Sequence, residues 1–140
     1  MDETEFPTEF LSVMARMGAR PDLDDPSKGQ VQVNDYLCSN GIIRVAPLML
    51  LADTVVGMRL ESFIEDWTFT TDFSFRRGQL VPSKNIEAKS TILRHGKKLL
   101  VEELDYVNEK GMNVGHAQIT FIRTPLREGD VKPDVGKVRD

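Results

Sequence analysis

The feature that most constrains the fold of this chain is an apolar segment at residues 47–62, PLMLLADTVVGMRLES. We predict one helix that begins near Ala46, because a proline at the first helical position has a suitable φ and loses no needed N–H. Apolar residues cover most of its circumference: Leu48, Leu51, Ala52, Val55, Val56, Leu60 and Phe63. Such a helix must be buried, so the rest of the chain has to enclose it.

One carboxylate, Asp53, lies in the second turn of this helix. Its neighbours on the helix are apolar: Met49, Leu50, Val56 and Leu60. A charge in such surroundings costs free energy unless a function uses it, so Asp53 is the leading candidate for chemistry. Gly57 shares its face, and the missing side chain there permits close approach of a ligand or another backbone.

After the helix, four segments alternate with a period of two, which predicts strands at 68–76, 86–94, 98–107 and 112–123. Their short connections favour antiparallel neighbours. A shorter strand around Val31 and Val33 precedes the helix, and residues 6–17 have the spacing of an amphipathic helix. We therefore predict an α+β fold, with a curved antiparallel sheet of about five strands wrapped around one central helix and with an N-terminal helix. Residues 1–124 are expected to form a single domain, and 125–140 an extended or disordered tail.

The composition excludes several classes of protein. No apolar run in the 140 residues approaches the roughly 20 that a membrane span requires, so we expect no membrane partner. The absence of a secretory signal and the single cysteine, Cys38, predict a cytoplasmic location. A net charge of −4 argues against nucleic-acid binding. With two histidines and one cysteine, we assign no metal site.

Basic residues are concentrated between positions 76 and 98, where seven of them accompany one acid, Glu87. They are Arg76, Arg77, Lys84, Lys89, Arg94, Lys97 and Lys98. This local excess suits a phosphorylated ligand, although a solvated basic face would have the same composition.

Four motifs together resemble the hotdog-fold thioesterases, and specifically the phenylacetate-pathway-like (PaaI-like) acyl-CoA thioesterase branch. They are LADTVVG (51–57), TTDFSF (70–75), IEAKSTILRHGKK (86–98) and GHAQITF (115–121). The resemblance implies a homodimer, often paired into a homotetramer, with no cofactor. It also implies a hydrolase that cleaves acyl-CoA thioesters at the subunit interface.

The resemblance also implies roles for individual residues. Asp53 corresponds to the general base or nucleophile, and the Ala46 N–H to the donor that polarises the thioester carbonyl. Thr70, or Thr71 if the register slips, corresponds to a hydroxyl on a strand of the facing subunit that orients water. The turn RHGKK resembles the place where these enzymes meet the CoA nucleotide, with phosphate contacts from Arg94, Lys97 and Lys98 and from Arg76 or Arg77. A helix N-terminus and a nearby carboxylate are physically suited to thioester hydrolysis.

The segment that leads into the helix departs from the family. Where the family has His-Gly-Gly, this chain has Arg44-Val45-Ala46, and Cys38 stands where the family has an asparagine. Asn40 lies close by and is a candidate substrate contact. Arg44 has two interpretations: it binds an anionic group of a substrate, or it forms a structural ion pair with Asp53, which we slightly favour.

Three functional hypotheses follow. The first is an acyl-CoA thioesterase-like protein with Asp53, Ala46 and Thr70 in the site. The second is a hotdog protein that binds acyl-CoA or another acyl carrier without cleaving it. The third, hydration or dehydration of an acyl thioester, requires a histidine placed against a carboxylate. We rank it last, because His95 and His116 are expected to face solvent on a turn and on an outward strand face.

Overall fold

The structure is a computed structural model that describes residues 14–22, 24–61 and 64–130. It contains one long helix, α1 (Val45–Glu61), and eight strands. The strands are β1 (Ala19–Pro21), β2 (Lys28–Gln32), β3 (Cys38–Ser39), β4 (Ile42–Ile43), β5 (Trp67–Arg77), β6 (Asn85–His95), β7 (Leu99–Asn108) and β8 (Asn113–Thr124). The four strands predicted after the helix are confirmed to within a residue or so at each end. Residues 14–17 are helical, and the rest of the helix predicted at 6–17 lies outside the described residues.

Six strands form one antiparallel sheet in the order β1-β2-β6-β7-β8-β5. The sheet curls around α1, which contacts β1, β2, β5, β6 and β8. This confirms the predicted α+β hotdog architecture, with six strands where about five were expected. The additional strand, β1, falls in a segment whose glycine, prolines and acids are typical of turns, and it is short and lies at the edge where Pro21 is tolerated.

The burial of α1 follows the prediction. Nine of its residues are buried: Pro47, Leu48, Leu51, Ala52, Thr54, Val55, Val56, Met58 and Leu60. Phe63, which we also expected to pack here, lies outside the described residues. On β8, Ala117, Ile119 and Phe121 face this core.

A short hairpin with a two-residue loop leads into α1 and was not predicted. β3 and β4 pair with each other, and Asn40 and Gly41 between them have φ values of 52° and 76°. Two consecutive positive φ values are typical of a type I′ turn, which favours the sequence Asn-Gly. The helix then begins at Val45, so Pro47 is its third residue, still within the first turn, where the missing N–H removes no intrahelical bond.

Tyr106 fixes the start of α1 against the sheet. Its side chain is fully buried on β7, and its hydroxyl donates a hydrogen bond of 2.8 Å to the carbonyl of Leu48. The ring of Phe75 contacts it edge-on with the centroids 5.8 Å apart. Phe75 occupies the space that a side chain at Gly115 would need, since a Cβ there would lie 2.6 Å from its ring. Burial raises the pKa of the Tyr106 hydroxyl above its ordinary value of 10.0.

We predict that Tyr106→Phe lowers the free energy of unfolding by about 1 kcal/mol, because it removes one hydrogen bond and leaves the Leu48 carbonyl with one partner fewer. The raised pKa adds a pH dependence. Above about pH 10 the unfolded chain releases the Tyr106 proton while the folded chain keeps it, so wild-type stability falls with rising pH.

Denaturant unfolding of both proteins at neutral pH and above pH 10 checks this prediction. The difference in free energy of unfolding between the wild type and Tyr106→Phe should narrow at high pH, because the variant has no hydroxyl to titrate. Equal unfolding midpoints at neutral pH would contradict the assigned role of the hydroxyl.

Candidate active site

Asp53 and Thr70 form a hydrogen-bonded pair between α1 and β5. The Thr70 hydroxyl donates to Asp53 Oδ1 over 2.5 Å. Thr70 lies opposite Phe121 of β8, whose side chain is in the core, so Thr70 also points to the helix side of the sheet. The structure therefore brings together two of the three residues that the sequence placed at the reacting centre.

A β-bulge makes this arrangement compatible with the core. The register of β5 against β8 shifts between Thr70 and Asp72, which leaves Thr71 as the extra residue. Before the bulge Thr70 faces the helix, and after it Phe73 and Phe75 do so and pack on the core. Without the extra residue, Asp72 would stand opposite buried Ile119 and point inward, because a one-residue shift exchanges the two faces of a strand.

Two expectations about this pair are corrected. Asp53 is exposed and its neighbour Met49 is 44% exposed, so the carboxylate is not enclosed by apolar residues within one chain. The side of α1 that carries it is the side that the sheet leaves uncovered. In addition, Thr70 donates to Asp53 of its own chain, whereas the resemblance implied a hydroxyl from the facing subunit.

The first turn of α1 lies on the same face as Asp53. Ala46 is exposed, and the N–H groups of a helical first turn have no intrahelical partner. Ala46 and Asp53 are seven residues apart, which places them on one face about 10 Å apart along the axis. Helical side chains tilt toward the N-terminus, so the side chain of Asp53 leans toward the first turn.

The structure tests one of the two interpretations of Arg44, the ion pair with Asp53. Within the described ranges no ion pair joins Arg44 to Asp53, and the arginine side chain is exposed. Its backbone N–H donates to the carbonyl of Leu37 over 2.8 Å, which fixes the entry to the helix. The favoured ion pair is therefore wrong, and the guanidinium is exposed where the chain enters α1.

The remaining neighbours of the site have clear structural surroundings. Asn40 lies at the tip of the β3–β4 hairpin, where its positive φ explains the choice of asparagine. Gly57 lies one turn beyond Asp53, and a Cβ at that position would meet nothing within 4 Å. Space is thus open beside Gly57, one turn beyond the exposed Asp53.

Three of the predicted phosphate-binding residues lie together. Arg94, Lys97 and Lys98 line a surface groove of about 990 Å³ at the β6–β7 turn. The other residues lining it are Asp66, Leu99, Ile122, Arg123 and Pro125. In the part of the chain that the structure describes, none of the three cations has an ion-pair partner. The groove therefore combines free positive charge with an apolar floor.

The groove and the Asp53–Thr70 pair lie at the same end of the sheet. Thr70 pairs with Phe121, which pairs with Leu100, and Lys98 precedes Leu100 by two residues. Two strand spacings and two residues of rise separate Lys98 from Thr70, or about 12 Å between Cα atoms. The groove opens on the outward face, since Leu99 and Ile122 alternate with inward Leu100 and Phe121, so a ligand that reaches both sites has to pass around this end of the sheet.

Arg76 and Arg77 are not part of this group within one chain. They lie at the far end of β5 and pair with His116 and Gly115. Six residues of strand, or about 20 Å, separate Arg76 from Thr70. Strand direction thus carries them away from Arg94, Lys97 and Lys98 of the same chain, and the prediction that they share one phosphate site depends on a second chain.

Sequence reasoning missed a buried ionic cluster beneath the same turn. Glu102 on β7 is only 1% exposed, and its Oε1 accepts from Arg59 Nη1 of α1 over 3.0 Å. Its Oε2 lies 3.2 Å from His95 Nε2. Arg59 Nη1 also donates to Ser90 Oγ over 2.9 Å. The signal was present, because Glu102 alternates with Leu100 and Leu104 at inward positions, where a carboxylate requires partners.

The two histidines differ in their surroundings. His116 is partly exposed on the outward face of β8, as predicted, with Nδ1 3.0 Å from Asp105 Oδ1. His95 was expected to face solvent, and this is wrong, since its ring turns inward to Glu102. Arg123 was also missed: it donates from Nε and Nη2 to Asp66 Oδ2 and from Nη1 to the Gly96 carbonyl, which ties the groove together.

Part of the predicted tail is ordered against the domain. Trp67 Nε1 donates to Asp130 Oδ2 over 3.2 Å, so the described residues 125–130 return to the start of β5. Residues 131–140 lie outside the described residues. Among the residues that the structure describes, no helix is long and apolar enough to cross a membrane.

Comparison with known proteins gave similarity in structure alone. No family model and no curated protein matches the sequence. A thioesterase of Haemophilus influenzae superposes with a TM-score of 0.71 at 16% identity, covering 85% of this chain and 87% of that one. A Bacillus halodurans protein crystallised with CoA has a TM-score of 0.72 at 14% identity, with coverage of 87% and 80%. A hypothetical thioesterase of Streptococcus pneumoniae with coenzyme A has a TM-score of 0.59 at 18% identity, with coverage of 71% and 79%. The chain therefore has the hotdog fold, in common with structures described as thioesterases.

Proposed function

We propose that this protein hydrolyses acyl-CoA thioesters to a free acid and CoA. The observation that carries the proposal is the Asp53–Thr70 hydrogen bond, which lies on the exposed face of α1 that also carries Ala46 of the first turn. A carboxylate and an oxyanion donor on one face are the two groups that thioester hydrolysis requires. Structural neighbours include proteins described as thioesterases, and two of the neighbours were solved with CoA, so acyl-CoA is the substrate class to test.

Each residue has a defined role in the proposed reaction. As general base, Asp53 takes a proton from water while the water oxygen attacks the thioester carbon, and the Ala46 N–H stabilises the developing oxyanion. The C–S bond then breaks, and the CoA sulfur leaves with a proton. As nucleophile, Asp53 would instead attack the thioester carbon, the C–S bond would break with departure of the CoA thiolate, and water would hydrolyse the resulting anhydride to the free acid and the Asp53 carboxylate. In both routes Thr70 holds Oδ1, which directs Oδ2 toward the reactants.

The groove at the β6–β7 turn supplies the binding site for the CoA nucleotide in this proposal. Its three cations, Arg94, Lys97 and Lys98, have no ion-pair partner among the described residues and match the phosphates, and its apolar floor suits the adenine ring. In this proposal Arg44, Asn40 and Gly57 would contact the acyl group and the arm of CoA.

Dimerisation completes the proposed site. β5 has 11 residues, and its outer edge pairs with no strand in the described part of the chain. Long open edges favour pairing with another strand, and a two-fold axis reverses the partner strand. Reversal brings the partner's Arg76 and Arg77 to the Thr70 end, beside the groove, and covers the exposed face of α1. The five basic residues would then surround one ligand.

The alternative is a protein that binds acyl-CoA without cleaving it. The observation that favours it is Pro47, which as the third residue of α1 removes one N–H from the first turn. Ala46 also carries a methyl group where close approach to a thioester favours glycine.

We predict that Asp53→Asn lowers kcat for acyl-CoA hydrolysis about 100-fold or more, because the amide can neither accept a proton nor act as a nucleophile. Thr70→Val should lower kcat by a smaller factor, and the matched variant Thr70→Ser should retain most activity because it keeps the hydroxyl. Thiol detection on a panel of acyl-CoAs measures the rates. Equal rates for the wild type and Asp53→Asn would remove Asp53 from the mechanism.

The basic groove makes a separate prediction. The double variant Lys97→Ala with Lys98→Ala should raise KM for acyl-CoA about tenfold with little change in kcat, and the effect should shrink in high salt because exposed charges are screened. Lys89→Ala removes an exposed lysine elsewhere on β6 and is the control for overall charge. The groove assignment fails if Lys89→Ala raises KM as much as the double variant does.

Subunit complementation tests the shared site. One protomer carries Arg76→Ala and Arg77→Ala, and the other carries Lys97→Ala and Lys98→Ala. If each site combines Lys97 and Lys98 of one protomer with Arg76 and Arg77 of the other, the mixed dimer has one wild-type site and one site with all four changes. Half of the sites should then bind CoA at wild-type affinity in calorimetry. If each site lies within one protomer, no site in the mixed dimer regains wild-type affinity.

A further inference from the structure

The cluster of Glu102, His95 and Arg59 lies directly beneath the groove and has no part in the proposed reaction. A buried ion network of this kind contributes little net stability compared with apolar residues of the same volume. A role in positioning other residues would explain it better than a contribution to stability. The cluster lies between α1, which carries Asp53, and the β6–β7 turn, which carries Arg94, Lys97 and Lys98, so this turn is the segment that it can position.

A second β-bulge sets the directions in which Arg94 and His95 point. The register of β6 against β7 shifts between Ile92 and Arg94, so that Arg94 stands opposite Val101 and His95 opposite Leu100. Without the extra residue, Arg94 would stand opposite Leu100 and point inward, and His95 would point outward. The bulge at Leu93 thus sends the guanidinium to the groove and the imidazole to the buried carboxylate.

The contact of His95 with Glu102 fixes the backbone from which the cations project. His95 lies between Arg94 and Gly96, and Lys97 and Lys98 follow immediately. The Gly96 N–H closes the turn on the Leu99 carbonyl over 2.8 Å, and β8 holds it from the other side through Arg123. Glu102 is in turn held by Arg59, so the turn is connected to α1 as well as to β8.

We propose that His95 is a positioning residue for the CoA nucleotide, which acts by anchoring the Arg94–Lys98 turn to Glu102 and, through Arg59, to α1. The inference rests on the proposed function and extends it. Lysine side chains lose much conformational freedom on binding, and a turn that is already fixed reduces what binding costs. Loss of the anchor should weaken binding of the phosphates and leave the chemistry at the thioester unchanged.

The test compares CoA with pantetheine, which has the same thiol arm but no nucleotide. His95→Leu should raise the Kd for CoA about tenfold, the size of one charge-assisted hydrogen bond. His95→Gln should restore most of the affinity, because its amide N–H can reach Glu102, whereas His95→Asn has the same amide one carbon short and should not. Turnover of an S-acyl pantetheine should be the same in all four proteins, and Lys89→Ala is again the surface control.

The His95→Gln and His95→Asn pair keeps the test valid if His95→Leu fails to fold. The proposal is overturned if Asn and Gln bind CoA equally well, or if the variants slow S-acyl pantetheine and acyl-CoA by the same factor, which indicates a general structural role. It is also overturned if the wild type binds CoA no more tightly than pantetheine. Tight CoA binding without hydrolysis would reject the proposed function alone, and calorimetry would still decide the role of His95.

Discussion

The burial of α1 is the constraint on which the rest of this structure depends. A helix that is apolar on nearly all sides is stable in water only inside other elements, and a single curled sheet encloses it with the fewest strands. The hydrogen bond from Tyr106 to the Leu48 carbonyl sets the position of the helix N-terminus within that sheet. Since the first-turn N–H groups and Asp53 lie on one face of this helix, the packing that buries α1 also fixes the candidate site.

Two β-bulges adapt the sheet to this site. The bulge at Thr71 lets β5 present a polar Thr70 to Asp53 and then return Phe73 to the core. The bulge at Leu93 separates Arg94, which faces the groove, from His95, which faces Glu102. In a regular sheet the side chains of each strand would alternate without interruption over its whole length. Thr70 and Phe73 could not then both face the helix, and Arg94 and His95 would exchange directions. Both irregularities lie at the end of the sheet where the candidate ligand would bind.

Much of the fold was predictable because its signals are local. Alternation predicted β5 to β8 closely, and the apolar circumference of residues 47–62 predicted a buried helix. The pairing of Asp53 with Thr70 came from the family resemblance, and the structure places them in one chain. The separation of Arg76 from Arg94 was not predictable from a count of charges, since it depends on strand direction. The burial of His95 was missed because a one-residue bulge reverses the face of every residue after it. The absence of the Arg44–Asp53 ion pair depends on how the hairpin enters the helix, which no local pattern encodes.

The central claim is that the site cleaves thioesters as well as accommodating them. The most direct measurement is single-turnover thiol release with the wild-type protein in excess over each member of an acyl-CoA panel, alongside calorimetry of CoA on the same preparation. The account predicts that at least one acyl-CoA releases a stoichiometric amount of CoA thiol at a rate well above that of the uncatalysed reaction. Saturable CoA binding with no release of thiol from any member of the panel would contradict it.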